Sequence, residues 1–165
     1  MQAKRWPLLT AFLITVSILS GCSKAPNDMS SDDSATVSQS DVNVEGAWAR
    51  ATFALAQTGA VYLTLNNNAQ EPLTLLSAQV PSNVAEEAQL HDMNMSDGMM
   101  QMVQIQEGIE IAADDSVQFA PGGKHVMLLG LKEPLNVGGS ISLTLNFVQQ
   151  APITIQVPIK DARNL

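Results

Sequence analysis

Cysteine is nearly missing from the chain, which has one such residue, Cys22, among 165. A lone cysteine cannot form an internal disulfide or a dithiol redox pair. If Cys22 is itself modified, the mature chain also has no thiol nucleophile and no thiolate ligand for a metal. We therefore expect a domain that is held together by its apolar core alone.

Basic residues are also scarce, with 8 Lys and Arg against 16 Asp and Glu and a formal net charge of −8. Lys4 and Arg5 lie in an N-terminal segment that we expect to be cleaved, which leaves 6 basic against 16 acidic side chains, or −10. An acidic chain without a basic stripe argues against nucleic acid and anionic lipid as partners. Hydrophobic residues make up 45% of the chain, enough for a globular core.

The only long apolar run, "PLLTAFLITVSILSG", is interrupted by Thr and Ser and ends at Gly21. It is shorter than the roughly 20 apolar residues that cross a bilayer, so it indicates an export signal over residues 1–21. The sequence "LSGC" that closes it matches the lipobox of bacterial lipoproteins, in which the cysteine receives the lipid. We expect Cys22 to be lipidated and the protein to be anchored in the periplasm to a bacterial membrane. The alternative is a plain signal peptide with an accidental cysteine.

Residues 22–43 begin with Cys22 and continue as a Ser- and Asp-rich stretch without apolar periodicity, which predicts a disordered tether. From residue 44 to 165 the pattern changes to short segments with alternating apolar residues, such as "AVYLTLNN", "SISLTLNF" and "PITIQVPI". Period-two alternation is typical of half-buried antiparallel strands. With turn signals between the segments, eight to ten strands in an all-β sandwich or barrel are predicted. "NVAEEAQL" could be mistaken for a helix, and we predict a strand there.

The segment "HDMNMSDGMMQM", residues 91–102, contains one of the two histidines and five of the eight methionines. The second histidine lies in "PGGKHVMLLGL", where His125 and Met127 share one strand face because residues two apart point the same way. By the same rule Met100 and Met102 share a face, and Met99 and Gln101 take the other. Taken singly, each histidine or methionine is more often a surface or core residue than a ligand, but together they predict a metal site.

Imidazole and thioether form a soft, neutral ligand set. Such ligands suit Cu(I), whereas Ca²⁺ and Mg²⁺ require oxygen ligands and zinc seldom takes methionine. Blue copper sites need a cysteine thiolate, which the domain lacks. The methionine-rich segment therefore predicts a surface site for monovalent copper.

The chain resembles the periplasmic copper chaperones called PCu(A)C, in which a His, ten residues, a Met, about twenty-one residues and His-x-Met follow one another. Ten residues separate His91 from Met102, and "HVM" supplies the last pair after a gap of twenty-two residues. The phrases "GAWARAT", "GAVYLTLNN", "EGIEI" and "PGGKHVMLLGLKEPL" are also similar to the family. The additional residue is expected to be absorbed by a bulge or loop in residues 103–106.

The resemblance implies a cupredoxin-like Greek-key β-sandwich or barrel that is not an enzyme and binds one Cu(I). The implied ligands are His91, Met102, His125 and Met127, with Met93, Met95 and Met100 as possible auxiliary ligands. It also implies a carrier that delivers copper in the periplasm. The implied recipient is the binuclear copper site in subunit II of cytochrome c oxidase, reached with or without Sco-type copper proteins.

Two other classes of function stay open at this stage. The first is a structural or adhesion lipoprotein whose methionine-rich loop binds a protein partner, since methionine surfaces adapt to many partners. The second is a copper enzyme or electron carrier, against which the lack of a cysteine ligand argues. No Ser-His-acid arrangement or carboxylate pair stands out for hydrolysis.

Overall fold

The structure, a computed structural model, describes residues 41–96 and 98–164. The predicted signal peptide, Cys22 and the tether up to residue 40 lie outside these residues, which all belong to the compact unit Ser38–Leu165. The described part contains ten strands and a final 3-10 turn. The strands are β1 Val42–Arg50, β2 Thr58–Asn67, β3 Leu73–Gln79, β4 Glu87–Ser96, β5 Met99–Gln104, β6 Ile109–Ile111, β7 Ser116–Phe119, β8 His125–Leu129, β9 Ser140–Phe147 and β10 Ile153–Lys160, and the turn is Ala162–Asn164.

The strands follow one hydrogen-bonded order, β5-β4-β8-β2-β1-β10-β9-β3-β6, with β7 paired to β2. The expected all-β class is confirmed. The expectation that every strand is antiparallel is wrong at one place, because β1 pairs with β10 in parallel through Ala49 and Ile159. This parallel pair joins the two halves of the order, and buried residues from both halves form one core cluster.

Strand β9 shows why these sequences form half-buried strands. Its burial alternates strictly along "SISLTLNF". The apolar side chains that face the core are Ile141, Leu143, Leu145 and Phe147. Burying each of them contributes roughly 1.5–3 kcal/mol relative to leaving it exposed. The predicted strand is thus confirmed, and its orientation follows from the hydrophobic pattern.

Two element boundaries differ from the expected ones. Strand β1 already begins at Val42, which is buried and pairs with Asn67, so the sheet includes two residues assigned to the tether. The segment "NVAEEAQL" becomes strand only from Glu87 onward. Before that, the Val84 N–H donates to the Pro81 carbonyl at 2.8 Å and closes a turn. In the described part of the chain we find no helix with the length and hydropathy that a membrane span requires.

The orientation of β4 and β8 positions the candidate site. Leu90 on β4 and Val126 and Leu128 on β8 are buried in the core. Because side chains alternate between the two faces of a strand, His91 and His125 must lie on the outer face. The core contacts of the apolar residues therefore fix the direction in which both histidines project.

Candidate metal centre

The two histidines are direct neighbours in the sheet. His91 and His125 occupy paired positions of the antiparallel β4–β8 ladder. Their ring centroids are 5.7 Å apart with an interplanar angle of 42°. Cross-strand partners lie close enough for their side chains to interact. The fold thus brings together two imidazoles that the sequence places on separate strands.

Thioethers lie on the same outer face beside this histidine pair. Met127 is two residues beyond His125 on β8 and pairs with Gln89. On the other side, Met102 of β5 pairs with Met93 of β4. An open cavity of about 520 Å³ is lined by Met93, Met102, Met127 and His125, together with residues of β1, β2 and the loop between them.

Hydrogen bonds determine which nitrogen of His125 is free. His125 is only 6% exposed, and its Nδ1 lies 2.9 Å from the Gly123 carbonyl oxygen. A carbonyl oxygen can only accept, so Nδ1 carries the proton and Nε2 keeps a free lone pair. A backbone contact of this kind fixes the tautomer of metal-binding histidines in general. His125 therefore presents Nε2 as its candidate donor atom.

His91 is held through the opposite nitrogen. Its Nε2 lies 2.9 Å from the side-chain oxygen Oε1 of Gln89, which accepts a hydrogen bond from it. Its Nδ1 is buried and has no hydrogen-bond partner among the described residues. His91 does not line the cavity, but its ring borders that of His125. The unpartnered Nδ1 is the candidate donor atom of this residue.

Electrostatics favour the neutral form of His91. Burial lowers the pKa of His91 below its usual value, and the neighbouring His125 lowers it further. Neutral imidazole is the form that binds metal, since a proton competes for the same lone pair. The carboxylate nearest in sequence, Asp92, lies on the opposite strand face, 2.7 Å from the Lys124 ammonium. Lys124 lowers the pKa of Asp92, so this carboxylate stays ionised and paired.

No group of three or more His, Cys, Asp or Glu side chains in residues 41–96 and 98–164 is arranged to hold a metal. The candidate donors are instead the two imidazoles and the thioethers around them. Of the predicted ligands, Met102, His125 and Met127 line one cavity, and His91 is the sheet neighbour of His125. The assignment of these four as copper ligands stays a prediction.

The three auxiliary methionines are separated by the fold. Met93 lines the cavity together with Met102. Met95 and Met100 form the next cross-strand pair toward the β4–β5 turn, where they are 67% and 51% exposed and do not line the cavity. Met99 pairs with Ser96 on the reverse face of the hairpin. The predicted alternation along β5 is therefore correct.

The register of the hairpin narrows the expectation of a bulge or loop in residues 103–106. The β4–β5 pairing runs without a shift from Ser96 and Met99 to His91 and Gln104. It continues as the Ile105 N–H donates to the Leu90 carbonyl at 2.8 Å. The bulge or loop was expected within residues 103–106, and because residues 103–104 are regular strand, only the loop at residues 105–106 agrees with that expectation. A loop begins only after Gln104.

Sequence reasoning missed the aromatic and loop residues beside the site. Tyr62 of β2 packs against Trp48 of β1 with a ring centroid distance of 4.6 Å and an interplanar angle of 39°, and its ring centroid lies 6.5 Å from that of His125. Phe53 and Leu55, in the loop between these strands, are strongly exposed and line the cavity. The sequence did contain a signal for Tyr62, because it is an aromatic residue on the otherwise polar face of the strand "AVYLTLNN".

Comparison with protein families gives a match over most of the described chain. Residues 42–159 match the model of the family described as "Putative lipoprotein LpqE-like". The chain is 34% identical over 120 residues to "Putative lipoprotein Lxx21020" of Leifsonia xyli subsp. xyli, covering 73% of this chain and 70% of the relative. The family match includes all the strands that carry the candidate site.

Solved structures share the fold. The copper-bound PCuAC domain from PmoF2 is 22% identical with a TM-score of 0.60, covering 73% of this chain and 93% of that domain. Apo-DR1885 from Deinococcus radiodurans is 26% identical with a TM-score of 0.57, covering 92% of this chain and 97% of that one. CuI-DR1885 is also 26% identical, with a TM-score of 0.53 and coverage of 78% and 86%. The predicted resemblance to PCu(A)C and the cupredoxin-like fold are thus confirmed, and the chain belongs to the LpqE-like lipoprotein family, whose fold here is that of the PCuAC domains.

Proposed function

We propose that this protein is a Cu(I) carrier that binds one ion through His91, His125, Met102 and Met127. The observation that supports it most strongly is the cross-strand pairing of His91 with His125 beside a cavity lined by thioethers. Two imidazoles and two thioethers are all neutral ligands, so a site that holds Cu(I) carries a net charge of only +1. A divalent ion in the same site would lack the anionic or oxygen ligands that it prefers. The Cu(I)-bound relative DR1885 supports the same oxidation state.

Delivery rather than storage is favoured by the openness of the site. Met102 is about half exposed and belongs to β5, the strand at one end of the sheet order. An acceptor ligand can therefore approach the copper from the solvent side while His125 stays buried. Exchange of one ligand at a time avoids releasing the ion into water. These features suit a protein that hands copper to another one.

For the recipient we propose the binuclear copper site of cytochrome c oxidase subunit II, directly or together with Sco-type copper proteins. The proposal depends on the resemblance to PCu(A)C and on the PCuAC fold. The lipoprotein names of the relatives support a periplasmic protein held at a bacterial membrane through Cys22. Co-purification of the tagged chain with these two candidate acceptors, with and without copper, tests this step. Capture of neither acceptor contradicts the proposed recipient.

A second candidate function is a structural or adhesion lipoprotein whose methionine surface binds a protein. The observation that favours it is the exposure of most methionines on the β4–β5 hairpin. An anaerobic titration of Cu(I) against a colourless competing chelator separates the two functions. The carrier saturates one tight equivalent, and Met127→Leu lowers that affinity whereas Met99→Leu does not. A chain that binds no copper more tightly than the chelator contradicts the carrier.

A further inference from the structure

Four methionines of the β4–β5 hairpin form two successive cross-strand pairs on one face. Met95 pairs with Met100 near the turn, and Met93 pairs with Met102 one step closer to the histidines. We call these four residues the thioether ladder, with an outer pair and an inner pair. The next step along β4 is His91, which pairs with His125. The proposed copper site uses only one member of the ladder, Met102.

On the β4 side of the ladder, exposure decreases in the direction of the site, whereas the two methionines on β5 are both about half exposed. In the outer pair the side chains are 67% and 51% exposed, and in the inner pair Met102 is 49% exposed and Met93 is partly buried. His125, at the end of the series, is 6% exposed. Soft donors therefore extend continuously from solvent to the buried imidazole. A core-filling role does not explain the outer pair, because neither member is buried.

The spacing suits movement of an ion between pairs. Neighbouring pairs are two residues apart, which corresponds to about 7 Å along an antiparallel strand. Methionine has three rotatable bonds and a polarizable sulfur, so adjacent thioethers can swing toward one another. Cu(I) accepts thioether ligands readily. A sulfur of the inner pair can therefore bind the ion before a sulfur of the outer pair releases it.

We propose that Met95 and Met100 form a second, weaker Cu(I) site, from which the ladder passes the ion to the His91 and His125 pair. This inference rests on the proposed carrier function and adds the route by which the same site is loaded. Between the methionine pairs, one Cu–S bond forms and another breaks in each step, and at the end of the ladder Cu–N bonds to the two imidazoles replace Cu–S bonds. No electron is transferred, no proton is required by the thioethers, and the copper stays Cu(I).

The chain contains a matched control for this proposal. Met99 lies on the same hairpin, next to Met100, and is 62% exposed. Its side chain occupies the opposite face, paired with Ser96. Met99→Leu therefore removes an equally accessible thioether without touching the ladder. Met95→Leu with Met100→Leu removes the outer pair while conserving size and apolarity, a kind of exchange that cores tolerate well.

The experiment uses the full chain with ¹³C-labelled methionine methyl groups and Cu(I) supplied anaerobically as its bicinchoninate complex. We expect the first equivalent to shift the methyl signals of Met102 and Met127. The second equivalent should shift those of Met95 and Met100 and leave that of Met99 in place. Stopped-flow loading of the first equivalent should be severalfold slower in the double variant than in Met99→Leu. The second equivalent should be lost in the double variant alone.

The outcomes separate the ladder from the carrier function. If the first equivalent binds tightly but the double variant loads at the wild-type rate and wild type shows no second site, the ladder is overturned and the carrier stands. A shift of Met99 as large as that of Met95 would mean unspecific thioether binding and would also overturn the ladder. If no methionine methyl moves in wild type, both proposals fail. Retention of the tight equivalent by the double variant shows that it is folded.

Discussion

Strands β9 and β5 are both rich in apolar residues, but they differ in how much of their side chains is buried. Every second residue of β9 is buried, whereas all six residues of β5 are exposed. Strand β9 lies between β10 and β3, and β5 lies at one end of the strand order. An exposed apolar edge strand is an aggregation liability that most proteins avoid. The difference shows that the apolar side chains of β9 stabilise the core, whereas the methionines of β5 are accessible to solvent.

The largest expected effect comes from the buried strand. Leu143→Ala in β9 should lower the free energy of unfolding by about 2–5 kcal/mol, because it removes fully buried methyl groups and leaves a cavity. Chemical denaturation of the apo protein measures this change. Met99→Ala in β5 is the control and should change stability by no more than about 0.5 kcal/mol, as at other surface positions. Similar losses for the two variants would break the comparison.

The next effect concerns copper and falls on the exposed strand. Met102→Leu should weaken the tight Cu(I) site at least about tenfold, which corresponds to roughly 1.4 kcal/mol. Met100→Leu should weaken copper binding less, and Met99→Leu least, since Met99 lies on the other face. Competition with a chelator gives the three affinities, and thermal melting checks that the fold is intact. The order is refuted if Met99→Leu proves the most damaging of the three.

A smaller effect should follow pH, because the site combines groups that titrate with groups that do not. Imidazole has a reference pKa of about 6.5, and burial together with His125 lowers the pKa of His91. A lower pKa means that His91 takes up a proton at a more acidic pH than a free imidazole does. Protons therefore begin to compete with copper at His91 only at that more acidic pH. We expect Cu(I) affinity to be retained near neutrality and to weaken below about pH 6, with thioether binding less affected. Chelator competition from pH 7.5 to 5 measures this. A flat profile would argue that the histidines are not ligands.

Much of the fold was predictable because period-two alternation states which residues face the core. The alternation in "SISLTLNF" determined β9, and in "KHVMLLGL" it placed His125 and Met127 on one face. Alternation does not state which strand is the neighbour. The parallel pairing of β1 with β10 and the position of Tyr62 beside His125 depend on contacts distant in sequence, which local patterns do not encode.

The candidate site was predictable as a donor set but not as an arrangement. The resemblance to PCu(A)C pointed to His91, Met102, His125 and Met127 as four candidate ligands. The register then showed that Met93 shares the cavity with Met102, while Met95 and Met100 lie beyond it. A spacing motif gives only distances along the chain. Strand pairing is needed to show that the Met93–Met102 pair, and not the Met95–Met100 pair, lies next to the histidines. The donor nitrogens likewise depend on the Gln89 and Gly123 contacts, which no motif specifies.

X-ray absorption spectroscopy of the chain reduced and loaded with one equivalent of copper tests the central claim most directly. The paired imidazoles and adjacent thioethers predict nitrogen and sulfur scatterers together around a Cu(I) edge. In Met102→Leu the sulfur contribution should decrease while the nitrogen contribution stays. A shell of only nitrogen and oxygen in the wild-type protein would contradict the assignment of the thioethers as copper ligands.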